Sequence, residues 1–184
     1  FYGRAKKNAK IGGIMFKRLY PSEDADNIYE IDFEDFYLNG YRAVLFDIDN
    51  TLVEHGAPAT PKVIDFFKRL HELGFETCLI SNNKEPRVAS FAAQVDSRYL
   101  YKAGKPSPDG YLKGVELCGA AKDNTLFIGD QLFTDIWGAN RAGIHSILVK
   151  PIHPKEEIQI ILKRRLEWVV LIFYRRYKKK HGKN

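Results

Sequence analysis

Apolar residues in this chain alternate between short unbroken runs and longer stripes at helical spacing. The runs Ala43-Val44-Leu45-Phe46, Phe75 to Ile80, Arg98 to Tyr101, Thr125 to Ile128 and Ser146 to Val149 predict strands. The first has the composition of a strand buried on both faces. Helices are predicted between them. Thr60-Pro61 supplies an N-cap and a first-turn proline, Val63, Ile64, Phe67 and Leu70 form the buried stripe, and Gly74 ends it. Glu85-Pro86 opens a helix to Val95, Pro108 opens one to Cys118, and Thr134 to Ala142 forms another. Asp32 to Leu38 reads as a short helix stopped by Gly40, with Ile31, Phe33 and Phe36 covering one edge of the core. Tyr20 to Asn27 reads as a polar loop. Leu52 to Pro58 reads as a flap, because Gly56 and Pro58 oppose regular structure. Strands alternating with helices of this length predict βαβ units, a parallel sheet and right-handed crossovers, an α/β fold.

The C-terminal part has a different character. Ile158, Leu162, Leu166, Val169, Phe173 and Tyr177 form one helical stripe. Lys163-Arg164-Arg165 precedes the aromatic stretch from Trp168 to Tyr174, and Arg175-Arg176 and Lys178-Lys179-Lys180 follow it. Charge is divided accordingly. Residues 15–154 hold 15 basic and 20 acidic side chains, whereas residues 155–184 hold 10 and 3, and residues 1–14 add four basic groups. Such asymmetry suggests an anionic partner for the chain's ends. Three readings of the tail are open: a helix docked on the sheet, a nucleic-acid arm, or an amphipathic helix on an anionic membrane. The last fits best, since Trp and Tyr suit the interface, the stripe is aliphatic and the cations match lipid headgroups. No specific nucleic acid is expected. Nothing in the sequence has the length of a bilayer span or the form of a signal peptide. Cys78 and Cys118 lack metal spacing and read as packed thiols of a reducing compartment. Together these features predict a cytoplasmic protein peripherally associated with the membrane.

Chain length suits one ordinary domain. We divide it into a leader (1–27, partly disordered, with Met15 a natural start), a body (28–154) and the basic amphipathic tail (155–184).

Chemistry concentrates where the predicted strands end. Asp47 and Asp49 follow the first strand two residues apart. Two ionised carboxylates in a low-dielectric cleft raise each other's pKa unless a cation holds both charged. Mg²⁺ suits that task, as a hard ion taking oxygen ligands, and a carboxylate there can act as a nucleophile. Alone, the stretch is equally read as a loop in which Asp49 or Asn50 caps a turn. Downstream strands break the tie: Ser81 follows the second, Lys105 the third, and Asp130 and Asp135 the fourth. Strand C-terminal ends are where an open parallel sheet builds its site.

In this order the residues Asp47-x-Asp49-x-Thr51, Ser81, Lys105 and Gly129-Asp130-x-x-x-Thr134-Asp135 resemble the four motifs of the haloacid dehalogenase superfamily. The resemblance implies a three-layer Rossmann-like fold with strand order 5-4-1-2-3. It implies Asp47 as nucleophile and Asp49 as acid and base. Mg²⁺ would lie among Asp47, the main-chain carbonyl of Asp49 and Asp130. Ser81 and Asn82 would hold phosphoryl oxygens, and Lys105 would supply a point charge. Thr51 would brace the turn and Asp135 would anchor Lys105 or the metal's waters. Cap domains common in that superfamily have no room here, so the site should be open and able to admit a phosphate carried on something large.

The stretches Asp47-Ile-Asp-Asn-Thr-Leu-Val, Ser81-Asn-Asn-Lys-Glu-Pro-Arg-Val and Gly129 to Arg141 further resemble the YqeG family of capless phosphatases. That family is similar to phosphatidylglycerophosphate phosphatases, which implies a phospholipid monoester as substrate. Arg87 and Arg141 lie in these stretches and could contact an anionic headgroup or serve as helix-surface ion-pair partners. Two other readings compete: a phosphatase for a soluble or protein substrate, and a membrane- or RNA-binding scaffold with an idle phosphatase body.

Overall fold

The computed structural model describes residues 18–153, 167–168, 170–177 and 179. It divides into two compact units, Pro21–Pro154 and a second drawn from the two ends of the chain.

In the first unit, six parallel strands form one sheet. They are β1 (Glu23–Ala25), β2 (Ala43–Phe46), β3 (Glu76–Ile80), β4 (Arg98–Leu100), β5 (Thr125–Gly129) and β6 (His145–Val149), in the order β1-β6-β5-β2-β3-β4. Five helices join or flank them: α1 (Phe33–Leu38), α2 (Pro61–Leu73), α3 (Glu85–Val95), α4 (Pro108–Leu117) and α5 (Trp137–Ala142). The terminal signals read from the sequence are used. Thr60 Oγ1 accepts from the Val63 N–H at 3.3 Å, and Gly74 closes α2 at φ 96°, a conformation that costs glycine little.

Each central strand faces two helical layers, because a strand's side chains alternate. Val44 and Phe46 of β2, Leu79 of β3 and Leu126 and Ile128 of β5 pack with Phe67 of α2 and Phe91 of α3. The intervening Ala43, Leu45, Cys78, Ile80 and Phe127 pack with Tyr111 of α4 and Ala139 of α5. This explains the unbroken apolar runs: neither face meets water. Cys78 and Cys118 are buried free thiols in the second layer.

Two expectations are corrected. Glu23–Ala25, read as loop, is an edge strand paired with β6. Its polar side chains hid it, since main-chain pairing and reciprocal bonds between Ser22 and Ser146 hold it in place, while polar edges are the usual defence against stray pairing. The expected helix from Thr134 begins instead as a wide π-type turn, Leu132–Ile136, before α5.

In the second unit, residues 167–168, 170–177 and 179 are helical. Val170 and Tyr174 are buried, and the Tyr20 ring lies 5.2 Å from Tyr174 and 5.6 Å from Tyr177. Trp168, Phe173 and Tyr177 are exposed, as are Arg175 and Arg176. Most of the predicted tail stripe lies outside the described residues, as does most of the leader. Of the described stripe, Phe173 and Tyr177 face outward, and the buried line runs through Val170 and Tyr174.

Candidate active site

The strand β2 is central, and its register sets the site. Phe46 pairs with Leu79 of β3 and Ile128 of β5, so Asp47 emerges beside the ends of both neighbours. The Asp47 N–H still donates to the Ile128 carbonyl at 2.9 Å, which fixes the carboxylate's origin.

Lys105 bridges two acids. Its Nζ donates to Asp47 Oδ1 at 2.5 Å and to Asp135 Oδ1 at 2.7 Å, with all three side chains almost wholly buried. A buried ammonium needs such partners. Burial pulls the Lys105 pKa down, but the charges of Asp135 and Asp47 together hold it above its ordinary value. Asn82 places the lysine: its side chain accepts from the Lys105 N–H at 2.8 Å and donates to the Lys105 carbonyl at 3.0 Å. The Ser81 hydroxyl, buried, accepts from the Asn83 N–H at 3.1 Å and shapes the turn after β3.

Asp135 has both oxygens engaged, the second by the Gln131 N–H at 3.0 Å. The wide turn brings it back against β5, and only glycine fits opposite: a Cβ on Gly129 would lie 2.6 Å from the Asp135 Cβ. Tyr111 holds the same turn, donating to the Thr134 carbonyl at 2.7 Å. Thr51 does more than brace its own turn. Its hydroxyl donates to Asp130 Oδ1 at 3.1 Å and lies 3.5 Å from Asp47 Oδ2, joining two carboxylates far apart in sequence.

Asp47, Asp130 and Asp135 each offer an oxygen within 4.8 Å of the others. Three carboxylates around one ammonium leave excess negative charge, and an all-oxygen donor set suits a hard divalent cation. Burial pushes the Asp47 pKa up to about 7, with Lys105 opposing that rise and Asp135 adding to it.

The Asp49 side chain stands outside this cluster. Oδ1 accepts from the Gly56 N–H at 2.8 Å and from Arg87 at 3.1 Å, and Oδ2 accepts from the Asn83 amide at 3.3 Å. Burial raises its pKa, but the Gly56 N–H and the hydrogen bond and charge of Arg87 more than offset that and hold it below the usual carboxylate value. Of the two arginines, Arg87 is therefore ion-paired at the site. Arg141 is exposed and donates to the Pro106 carbonyl at 3.1 Å, bracing the loop beside Lys105. The sequence did not mark Asn83, Gly56 or Tyr111 as site residues. Asn83 adjoins Ser81-Asn82 and was legible as a neighbour, but Tyr111 looks like ordinary helix core.

The chain's kinship agrees with this arrangement. Residues 54–143 match the family of haloacid dehalogenase-like hydrolases. The probable phosphatase YqeG of Bacillus subtilis is 35% identical over 159 residues, covering 85% of this chain and 92% of that protein. Phosphatidylglycerophosphate phosphatase 1 of Arabidopsis thaliana is 28% identical over 165 residues, covering 83% of this chain but 47% of that protein. In structure, a HAD phosphatase from Thermococcus onnurineus superposes with a TM-score of 0.51 at 13% identity, over 64% of this chain and 90% of that one, a likeness of fold alone. The family match starts downstream of Asp47 and Asp49, yet the alignment with the Bacillus protein runs along almost all of its length, and on that footing this chain belongs to the haloacid dehalogenase-like hydrolases.

Proposed function

We propose that the chain is a Mg²⁺-dependent phosphomonoester hydrolase that works through a phosphorylated Asp47, with phosphatidylglycerophosphate as substrate at a membrane surface. The observation carrying this reading is the junction of Asp47, Lys105, Asp130 and Asp135 at the end of the central strand. Asp47 Oδ attacks phosphorus, forming an acyl-phosphate bond as the bond to the leaving oxygen breaks. Asp49, ionised at rest, takes up a proton as substrate binds and gives it to that oxygen, then takes one from the water that attacks the phosphoryl group and frees Asp47. Ser81, Asn82 and Lys105 surround the transferring phosphoryl group, Lys105 supplying charge where it develops. Mg²⁺ held by Asp47, Asp130 and the main chain of Asp49 would neutralise phosphoryl oxygens. The lipid substrate rests on the similarity to the Arabidopsis enzyme, and the membrane on the tail's exposed aromatic and basic residues. No helix among the described residues is long and apolar enough to cross a membrane.

Hydrolysis of a panel of phosphomonoesters, with and without lipid bilayers, tests the proposal. Preference for a soluble ester or a phosphoprotein would replace the lipid reading, and inactivity on every ester would leave a scaffold.

Chelation should abolish turnover and Mg²⁺ should restore it. Metal affinity should also weaken with acid. Below about pH 7 Asp47 holds a proton that a cation must displace, so affinity should fall by up to about tenfold per pH unit. Calorimetric titration with Mg²⁺ on both sides of neutrality checks this, and pH-independent binding would remove Asp47 from the ligand set.

Deletion after Pro154 should spare hydrolysis of a small soluble ester and impair that of a bilayer-embedded one. Each basic residue near an anionic surface contributes about 1 kcal/mol, and apolar burial would lessen the salt sensitivity. Co-sedimentation with anionic vesicles should drop on truncation; equal binding would sink the membrane assignment. A truncated protein that fails to fold would favour a docked helix.

A further inference from the structure

Arg87 stands where a cation is ordinarily disfavoured, in the first turn of α3 at the positive end of the helix. Asp49 compensates it: the two side chains pair at 3.1 Å with 19% and 15% exposure. The guanidinium also lies 5.3 Å from the Phe91 ring centroid, so it is well placed and little able to wander. Its Nε is buried without a hydrogen-bond partner. Arg87 thus has more donating capacity than the resting site uses, whereas Asp49 has donors on both oxygens. These three contacts fix the carboxylate's orientation, and turning it to a leaving oxygen means loosening them. One donor must let go, and Gly56 and Asn83 are neutral, so a change in the charge nearby acts chiefly on Arg87.

We infer that Arg87 is a positioning residue that latches Asp49 in the resting site and exchanges it for a second anionic group of the substrate. Asp49 is then released for phosphomonoesters carrying another negative charge close to the scissile one. This rests on the proposed acid-base role of Asp49. A guanidinium suits the exchange, since its planar fork donates to carboxylate and phosphate oxygens in the same geometry. Selectivity arises without a cap: an ester lacking the second charge leaves the latch closed.

The test compares two water-soluble substrates, glycerol 3-phosphate and a glycerol bearing one phosphomonoester and one phosphodiester. Wild type should prefer the second in kcat/KM by at least about tenfold, the effect of one charge-assisted contact. Part of that preference should lie in kcat, because the latch governs Asp49 as well as binding. Arg87→Met should collapse the ratio towards one, whatever its absolute rates, and Arg87→Lys, which keeps charge but not the fork, should fall between. Equal losses on both substrates, with the ratio preserved, would mean a merely structural role and overturn the inference. Should Arg87→Met not fold, the ratio in Arg87→Lys decides alone: unchanged from wild type, it overturns the latch. Wild type that fails even on p-nitrophenyl phosphate would overturn the hydrolase reading and the latch together, whereas turnover without preference overturns the latch only.

Discussion

Asp47→Asn should lower kcat by at least ~10³-fold while leaving the protein folded, in line with removing a member of a concerted catalytic group. The amide keeps the shape of the carboxylate but is a poor nucleophile and a poor ligand for a hard cation. Stability should hold or improve. Burial already disfavours the charged form of Asp47, and Asp135 adds like-charge repulsion. With Asn there, Lys105 keeps its ion pair with Asp135, so no buried cation is stranded. Turnover of p-nitrophenyl phosphate and thermal melting, measured on the same preparation, check both halves. Near-normal turnover would remove the phosphorylated-Asp47 mechanism. Loss of turnover with a large fall in melting temperature would instead mean that the substitution damages the fold.

Lys105→Met should be the more destructive change. It withdraws the cation shared by two buried carboxylates and puts an apolar side chain between them. Removing one partner from a buried pair costs about 3–5 kcal/mol, because the remaining charge keeps its desolvation penalty. The loss should depend on pH with a definite sign. Asp47, already raised to about 7, should rise further without its cation. The folded variant then binds more protons than the unfolded chain between the ordinary Asp value and that raised value. Stability is therefore highest at acid pH and falls as pH rises. Urea unfolding in chelator at about pH 5.5 and about pH 8 should show the variant closer to wild type at the lower value. A variant matching wild type at both would show that Lys105 is not the counter-charge. Turnover should drop by about 10²–10³-fold as well, through loss of charge beside the transferring group.

Much of this architecture was legible because it rests on local rules. Ala43–Phe46 reads as a strand covered on both faces because its apolar run is too short for a helix, and all four of its side chains are buried. Thr60 and Gly74 delimit α2, and Glu85–Val95 is the helix its proline predicts. The candidate residues were legible for a related reason: each lies at the end of an apolar run or in the loop that follows one, and parallel strands bring such positions to one edge. Asp47, Thr51, Lys105, Asp130 and Asp135 are joined there, and Ser81 lies buried at the end of β3. Periodicity alone could not order the strands. That order came from resemblance, and the sheet adds β1 at its edge.

Sequence by itself thus determined five of the six strands, most helices, their caps and the edge at which the acids lie, because hydrophobic period and capping act over a few residues. Only the tertiary structure decided which acid meets which partner. Thr51 donates to Asp130 from the loop after the neighbouring strand, Arg141 reaches the Pro106 carbonyl, and Asp49 turns from the clustered acids towards Gly56, Asn83 and Arg87. β1 went unread because main-chain bonds carry no side-chain signature. The division has one physical cause. Burial patterns are written in every residue's polarity, but a long-range hydrogen bond depends on angles and distances that exist only after the chain has closed on itself.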